Sequence, residues 1–525
     1  MKIQAFIPKW QHVAIGVSLA NLCFLRRWKE LLTYTRQDRY LMKLPPAPAQ
    51  YWAAIMNVIL LSALVVLLLE TISRAPSRVA RALRYGVLLL VLIALNAFRE
   101  VASQYQPYLR GPLIRVLGES GVLWAALVLG AITVTVLVVW HSALYRLVMR
   151  GLLVLSLFVP VTVGQAVWKA SNYDDSRFLD GPPAPHLDIS ARPDPHIVWI
   201  IFDEFDQRLA FEDRPKGFQL PELDRLRDTS IYATHAYPPS SATMISLPSL
   251  ITGRRIAETR VVNGRELDIQ YDGSPSMVNW TTEPNVFSRT RALGFNTGLV
   301  GWYHPYCRIL NNDLTSCYWN EIELASNSNG RQFTQVLPNQ LRSLLETSIY
   351  SPFGRSLVTK KRALNYMNTI DAARRLVADD SISLCFLHLQ PPHTPQAFNR
   401  RTGKFDLGNS SVSGYLDGLA LADHTLAQLR LSMEQAGNWM NTTVVVSSDH
   451  WFRDAKVFDG KLDHRVPFLI KLPGQTTPLS YGARFNTVIT QELLLDILRG
   501  KVVSTSDTVK WLNLHQHDAG NNPQS

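Results

Sequence analysis

Two regimes of hydrophobic patterning divide the chain. Up to residue 168 the apolar runs are long and nearly unbroken; beyond residue 195 they shorten to strand length and alternate with helical stretches. A helix needs about 20 apolar residues to cross a bilayer. The runs "YWAAIMNVILLSALVVLLLETI" (51–72), "SGVLWAALVLGAITVTVLVVW" (120–140) and "GLLVLSLFVPVTVGQAVW" (151–168) reach that length. "YGVLLLVLIALNAF" (85–98) is short but very apolar, and "HVAIGVSLANLCFL" (12–25) is the weakest, able to span or to lie along the surface. The pattern predicts a helical transmembrane domain of about five helices over residues 1–168. Between the first two runs, "FLRRWKELLTYTRQDRYLMK" reads as an amphipathic helix on the membrane face.

Residues 169–195 are polar and proline-rich and read as a linker. Short apolar strands alternating with helices over 196–513 predict an α/β domain with a mainly parallel central sheet. The end, 514–525, reads as a disordered tail. In open α/β sheets, sites form beyond the carboxyl ends of the strands. "HIVWIIF" runs into Asp203-Glu204, "FNTGLV" into "GWYH" ending at His304, "ISLCFLHL" into "QPPH" ending at His393, and "TTVVVSS" into Asp449-His450. Any one of these residues could be an ordinary polar strand end; four together point to one edge bearing chemistry.

Asp203, Asp449 and His450 offer two carboxylates and an imidazole. Mixed oxygen and nitrogen donors suit a divalent metal such as Zn²⁺ or Mn²⁺, whereas an all-oxygen set would suit Ca²⁺ or Mg²⁺ better. A hydroxyl beside such an ion can lose its proton and attack an ester. "SSATMISLPSLITGRR" (240–255) supplies a candidate in Thr243, whose alternative role is to cap the helix that follows.

Charge follows the same division. Residues 1–168 hold 17 Lys+Arg against 5 Asp+Glu, a net of +12, and the remainder holds 36 against 37, a net of −1. The basic character therefore belongs to loops facing lipid headgroups. It gives no basic face for nucleic acid. Cys307 and Cys317 bracket the polar loop "CRILNNDLTSC", which suits a disulfide in an oxidising compartment, two unpaired thiols being the alternative.

These segments, taken in order, resemble the sulfatases of the alkaline phosphatase superfamily from about residue 195 to 475. "PHIVWIIFDE" is similar to their opening strand and acidic metal pair, "SSATMISLPSLITGR" to their nucleophile helix ending in T-G-R, and "LGFNTGLVGWYH" to their G-K-W-H segment. "LQPPHTP" resembles their histidine turn, "VVVSSDHWFR" their late metal motif, and "HRVPFLIKLPG" the strand after it. Sulfatases carry C-x-P-S-R, whose Cys becomes formylglycine; here those positions are Thr243 and Leu247, and the Lys of G-K-W-H is Trp302. "TMISLPSL" instead resembles the threonine nucleophile segment of membrane-bound phosphoethanolamine transferases, and the layout is similar to theirs and to that of lipoteichoic acid synthases.

The resemblance implies an alkaline-phosphatase/sulfatase-like α/β sandwich, with Asp203, Thr243, Asp449 and His450 around one metal ion. Glu204 matches a second sulfatase acid that the transferases lack. His304 and His393 match positions that contact the substrate's anionic group, and His464 is either a further metal or substrate ligand or a surface histidine. The implied activity is transfer of a phospho-headgroup, such as phosphoethanolamine or phosphoglycerol, from a phospholipid donor through a threonine ester to a glycan or lipid acceptor. The implied location is the bacterial inner membrane, with the catalytic domain outside the cytoplasm. A hydrolase of phosphodiesters or sulfate esters, and an inactive membrane-anchored binding protein, are the alternatives.

Overall fold

The computed structural model describes residues 9–103, 141–188, 195–322, 330–344, 352–393, 398–405 and 412–516, and part of 121–140. The chain forms two compact units. One comprises Met1–Tyr34, Pro46–Asp174 and Leu324–Leu357, and the other Thr35–Pro45, Asp175–Glu323 and Val358–Ser525. Each unit therefore contains a short segment lying, in sequence, within the range of the other.

The first unit is helical. Among the described residues, three helices are long and apolar enough to cross a membrane: Pro48–Arg74, Arg78–Ala102 and Ser142–Ser171. The expected runs 51–72, 85–98 and 151–168 lie inside them. The 85–98 run is the middle of a helix of 27 residues, extended at its start by arginines 78, 81 and 84. The run at 12–25 forms the helix Trp10–Cys23, whose 14 residues fall short of a span. Of the 120–140 run, 11 of 21 residues are described, and all of these but Trp140 are helical. Leu19, Trp28, Tyr51, Val65 and Val87 pack a shared interior, while Leu60, Leu64, Leu67, Leu95 and Phe98 are exposed. Long helices with apolar residues outside as well as inside are what lipid solvates.

The expected amphipathic helix over 24–43 is broken in two, Leu25–Leu32 and Arg36–Leu41. The break is at Thr35, whose hydroxyl accepts from the Asp38 N–H while the Asp38 carboxylate accepts from the Thr35 N–H. That capping box starts a new helix, and the new helix belongs to the second unit.

The second unit is built on an eight-stranded sheet in the order Leu479–Tyr481, Ile231–Ala233, Phe468–Lys471, Thr442–Ser448, His196–Asp203, Leu384–Pro392, Thr297–Trp302, Ser316–Asn320. The last five strands run parallel. Phe468–Lys471 is antiparallel to both its neighbours. The central strand is apolar throughout because both of its faces are covered. Ile197, Trp199 and Ile201 enter one core, and Val198, Ile200 and Phe202 the other. Residues 175–188, which read as linker, are hydrogen-bonded onto this unit. The Asp180 carboxylate accepts from the Trp319 indole at 3.0 Å, and Asn296 Oδ1 accepts from the Leu187 N–H at 2.9 Å.

Candidate active site

The parallel strands deliver their carboxyl ends to one edge, and the helix Thr243–Thr252 brings its first residue to the same place. Thr243 is the first helical residue; the cap position is Ala242, with no side-chain capping bond. The hydroxyl-rich approach is tied down by Ser246, whose Oγ donates to the Ser240 carbonyl and accepts from the Ser240 N–H. The helix ends at Gly253, whose φ of +66° is the left-handed cap glycine adopts without strain. Thr243 is thus spared the capping task. Its Oγ1 lies 3.2 Å from His450 Nε2 instead.

Asp203, Asp449 and His450 are fully buried. One ligand atom from each lies within 4.8 Å of the others. His450 Nδ1 is 2.9 Å from the Trp451 carbonyl oxygen. A carbonyl only accepts, so Nδ1 carries the proton and Nε2 presents a lone pair, 3.7 Å from Asp203 Oδ1 and 3.4 Å from Asp449 Oδ2. Asp449 Oδ1 accepts from the Glu204 and His450 N–H groups at 3.1 and 2.9 Å. Both oxygens of Asp203 and Oδ2 of Asp449 have no hydrogen-bond partner.

Buried carboxylate oxygens without partners are costly. Burial, and then the neighbouring Asp449 and Glu204 carboxylates, pushes Asp203 well above the usual carboxylate range. Burial acts on Asp449 in the same direction, but His450 and His388 hold it below its ordinary value. A divalent cation resolves both problems at once: it supplies the missing charge and occupies the orphaned lone pairs. The donor set fits such an ion, with Asp203, Asp449 and His450 as ligands and the Thr243 hydroxyl within reach. The turn into the site is tight. Among the described residues, the two non-glycine residues with positive φ are Glu204 (66°) and Tyr303 (74°), each directly after a strand of the sheet. Such backbone strain gathers at functional sites.

His304 is fully buried, and both its ring nitrogens engage the protein. Nδ1 is 2.9 Å from the Tyr40 hydroxyl and Nε2 is 3.4 Å from the Thr243 carbonyl oxygen. Burial first, then His388, holds it down at about 3. His388 was missed in the sequence. It is fully buried, its Nδ1 lies 2.9 Å from the Tyr306 hydroxyl, and its Nε2, without a hydrogen-bond partner, sits 3.6 Å from Asp203 Oδ2. Burial lowers it to about 4. Tyr306 packs over Gly301, where an added Cβ would overlap its ring. The available signal was a histidine inside the apolar run "LCFLHL", read through on the way to His393.

His393 is half-buried, its ring 5.2 Å from that of Trp302. His464 is stacked on Trp451 at 4.3 Å. Glu204 Oε1 lies 3.3 Å from Arg453 Nε, and Glu204 does not belong to the Asp203, Asp449 and His450 group. Cys307 and Cys317 form a disulfide, and Cys307 lies three residues after His304.

The sheet and its edge site make an alkaline-phosphatase-like α/β fold. Among solved structures, the chain is similar to Ps i-CgsB in complex with k-i-k-neocarrahexaose, at 16% identity over 60% of this chain and 74% of that one, TM-score 0.42. It is similar to the phosphonate monoester hydrolase of Agrobacterium radiobacter (14%, 58% and 74%, TM-score 0.37). It is also similar to an alkaline phosphatase superfamily protein from Vibrio parahaemolyticus (15%, 60% and 68%, TM-score 0.37). No curated protein matches the chain. The Sulfatase family model matches residues 195–495, which take in every strand of the eight-stranded sheet together with Asp203, Thr243, Asp449 and His450, and the chain belongs to the Sulfatase family.

Proposed function

We propose that this protein is a membrane-anchored, metal-dependent transferase that moves a phospho-headgroup from a phospholipid to a hydroxyl of a glycan or lipid through a covalent ester on Thr243. The observation that carries the reading is the placement of Thr243 Oγ1, 3.2 Å from the lone-pair nitrogen of His450 and beside the unpartnered Asp203 and Asp449 oxygens. A threonine at that position excludes formylglycine and leaves the hydroxyl itself as nucleophile. Zn²⁺ or Mn²⁺ suits the mixed donor set; when bound, such an ion lowers the pKa of the hydroxyl and offsets charge on the phosphoryl oxygens.

In the first step the Thr243 hydroxyl gives up its proton and its oxygen bonds to phosphorus, while the bond from phosphorus to the diacylglycerol oxygen breaks and that oxygen takes up a proton in its place. In the second, the acceptor hydroxyl gives up its proton and its oxygen bonds to phosphorus, and the threonine oxygen is released and takes up a proton to restore the hydroxyl. The location that goes with this chemistry is the bacterial inner membrane, with the catalytic unit outside the cytoplasm. Three apolar helices and a disulfide support it.

Peptide mass spectrometry of protein purified from its native membrane tests the reading. A phospho adduct on Thr243 is expected, together with loss of turnover by at least about a thousandfold in Thr243→Ala. Free headgroup released with no modified acceptor would make water the acceptor and the enzyme a hydrolase. Wild-type turnover in Thr243→Ala would overturn the threonine mechanism.

A further inference from the structure

We propose that Tyr40 is a positioning residue of the Thr243 site, fixing the tautomer of His304 and through it the backbone of the nucleophile. The proposal rests on the reading of Thr243 as nucleophile. Tyr40 lies between two helical segments of the membrane unit, yet residues 35–45 belong to the catalytic unit. Its side chain is fully buried, and its hydroxyl meets His304 across 264 residues of sequence.

The direction of each hydrogen bond follows from donor chemistry. The Thr243 carbonyl can only accept, so the proton on His304 sits at Nε2. Nδ1 is then a bare acceptor, and the Tyr40 hydroxyl must donate to it. The result is one directed relay: Tyr40 O–H to Nδ1, then Nε2–H to the Thr243 carbonyl. In the opposite tautomer a lone pair at Nε2 would face the carbonyl oxygen, and the first turn of the helix would be pushed from its place. With both nitrogens engaged and the ring fully buried, His304 acts here as a strut.

The segment that carries Tyr40 is held from three sides. The Arg308 guanidinium donates to the carbonyls of Met42 at 2.8 Å, Lys43 at 3.1 Å and Gly264 at 2.9 Å. The Lys43 N–H donates to Glu321 at 2.6 Å, and Lys43 Nζ to the Trp319 carbonyl at 3.0 Å. The rings of Trp280 and His304 meet at a steep angle of 70°, their centroids 5.3 Å apart. A nucleophile misplaced by about 1 Å costs on the order of a hundredfold in rate, so the relay acts where small shifts are expensive.

The test uses the full chain in detergent with Mn²⁺ or Zn²⁺ supplied and bis(p-nitrophenyl) phosphate as probe. Wild type, Tyr40→Phe, His304→Ala and the double variant are compared with Thr243→Ala, with metal content and thermal unfolding measured for each. Tyr40→Phe is expected to lower kcat between about tenfold and a hundredfold, with KM within twofold and metal content unchanged. In the His304→Ala background the same substitution is expected to cost nothing more. Nitrogen-15 histidine spectra are expected to show the Nε2–H form of His304 in wild type and a mixture in Tyr40→Phe, whether or not the probe is turned over. A persistent single tautomer, unchanged kcat, or an equal loss in both backgrounds would each overturn the proposal. Thr243→Ala retaining wild-type turnover would instead remove the nucleophile reading, and the catalytic claim for Tyr40 with it.

Discussion

Leu247 and Trp302 stand where the sulfatase pattern would place an arginine and a lysine, and both are buried apolar side chains. Arg453 offers a cation from another direction. Its side chain is 51% exposed, its Nε lies 3.3 Å from the Glu204 carboxylate, and its charge acts on Asp203 and Tyr303. A substrate phosphate beside Thr243 would compete with Glu204 for it. Arg453→Ala is therefore expected to raise KM for a phosphodiester by about tenfold, the scale of one charge-assisted hydrogen bond, with a smaller effect on kcat in steady-state kinetics. Asp203, Asp449 and His450 were legible because Asp203 ends one apolar strand and the other two come straight after another. His388 was not, because it is a strand residue whose neighbours are apolar, and a core histidine leaves the same trace. Tyr40 left no trace at all: nothing local relates it to a histidine so distant in sequence.

The helix Pro221–Arg227 shows how one element completes another. Its cap position is Leu220, which has no side-chain acceptor, and Asp423 from the helix Val412–Ala436 accepts from the Glu222 and Leu223 N–H groups at 2.9 and 2.8 Å. Burial, against those two hydrogen bonds, pushes Asp423 up to about 6. The folded value lies above the unfolded one of about 4. The folded chain therefore holds the extra proton between those values, and stability is lost as pH rises through that window. Asp423→Asn keeps an acceptor oxygen and removes the charge. Its thermal midpoint is expected to match wild type at pH 4 and to exceed it at pH 8, by about 1 kcal/mol in stability. Strands were the most legible elements, since a run buried on both faces is apolar at every position. The helix over 24–43 was not, because the amphipathic pattern continues across Thr35 while the capping box there redirects the chain.

For the molecule as a whole, the proposed topology rests on covalent chemistry more than on charge. It puts Arg74, Arg78, Arg81, Arg84, Arg146 and Arg150 in cytoplasmic loops, but also six bases of residues 26–43 outside, so the charge rule alone does not decide; the disulfide supports an oxidising side for the catalytic unit. Protease added to intact spheroplasts is expected to digest the catalytic unit and spare the membrane helices; protection of that unit would reverse the topology. The division into an apolar and a polar half was visible in the sequence. The crossing of segments 35–45 and 324–357 between the units was not, since it depends on tertiary hydrogen bonds that composition does not encode.

That crossing has a consequence for biosynthesis. Residues 35–45 leave the ribosome early, while the arginine and histidine that receive them, Arg308 and His304, follow more than 260 residues later. Contacts of such sequence separation close late. A chain still being translated would carry its membrane helices, and in time its nucleophile, before the Tyr40 strap could seat. A chain that has emerged as far as Thr243 lacks Asp449 and His450 as well as the seated strap, so on the proposed reading its threonine is not yet armed.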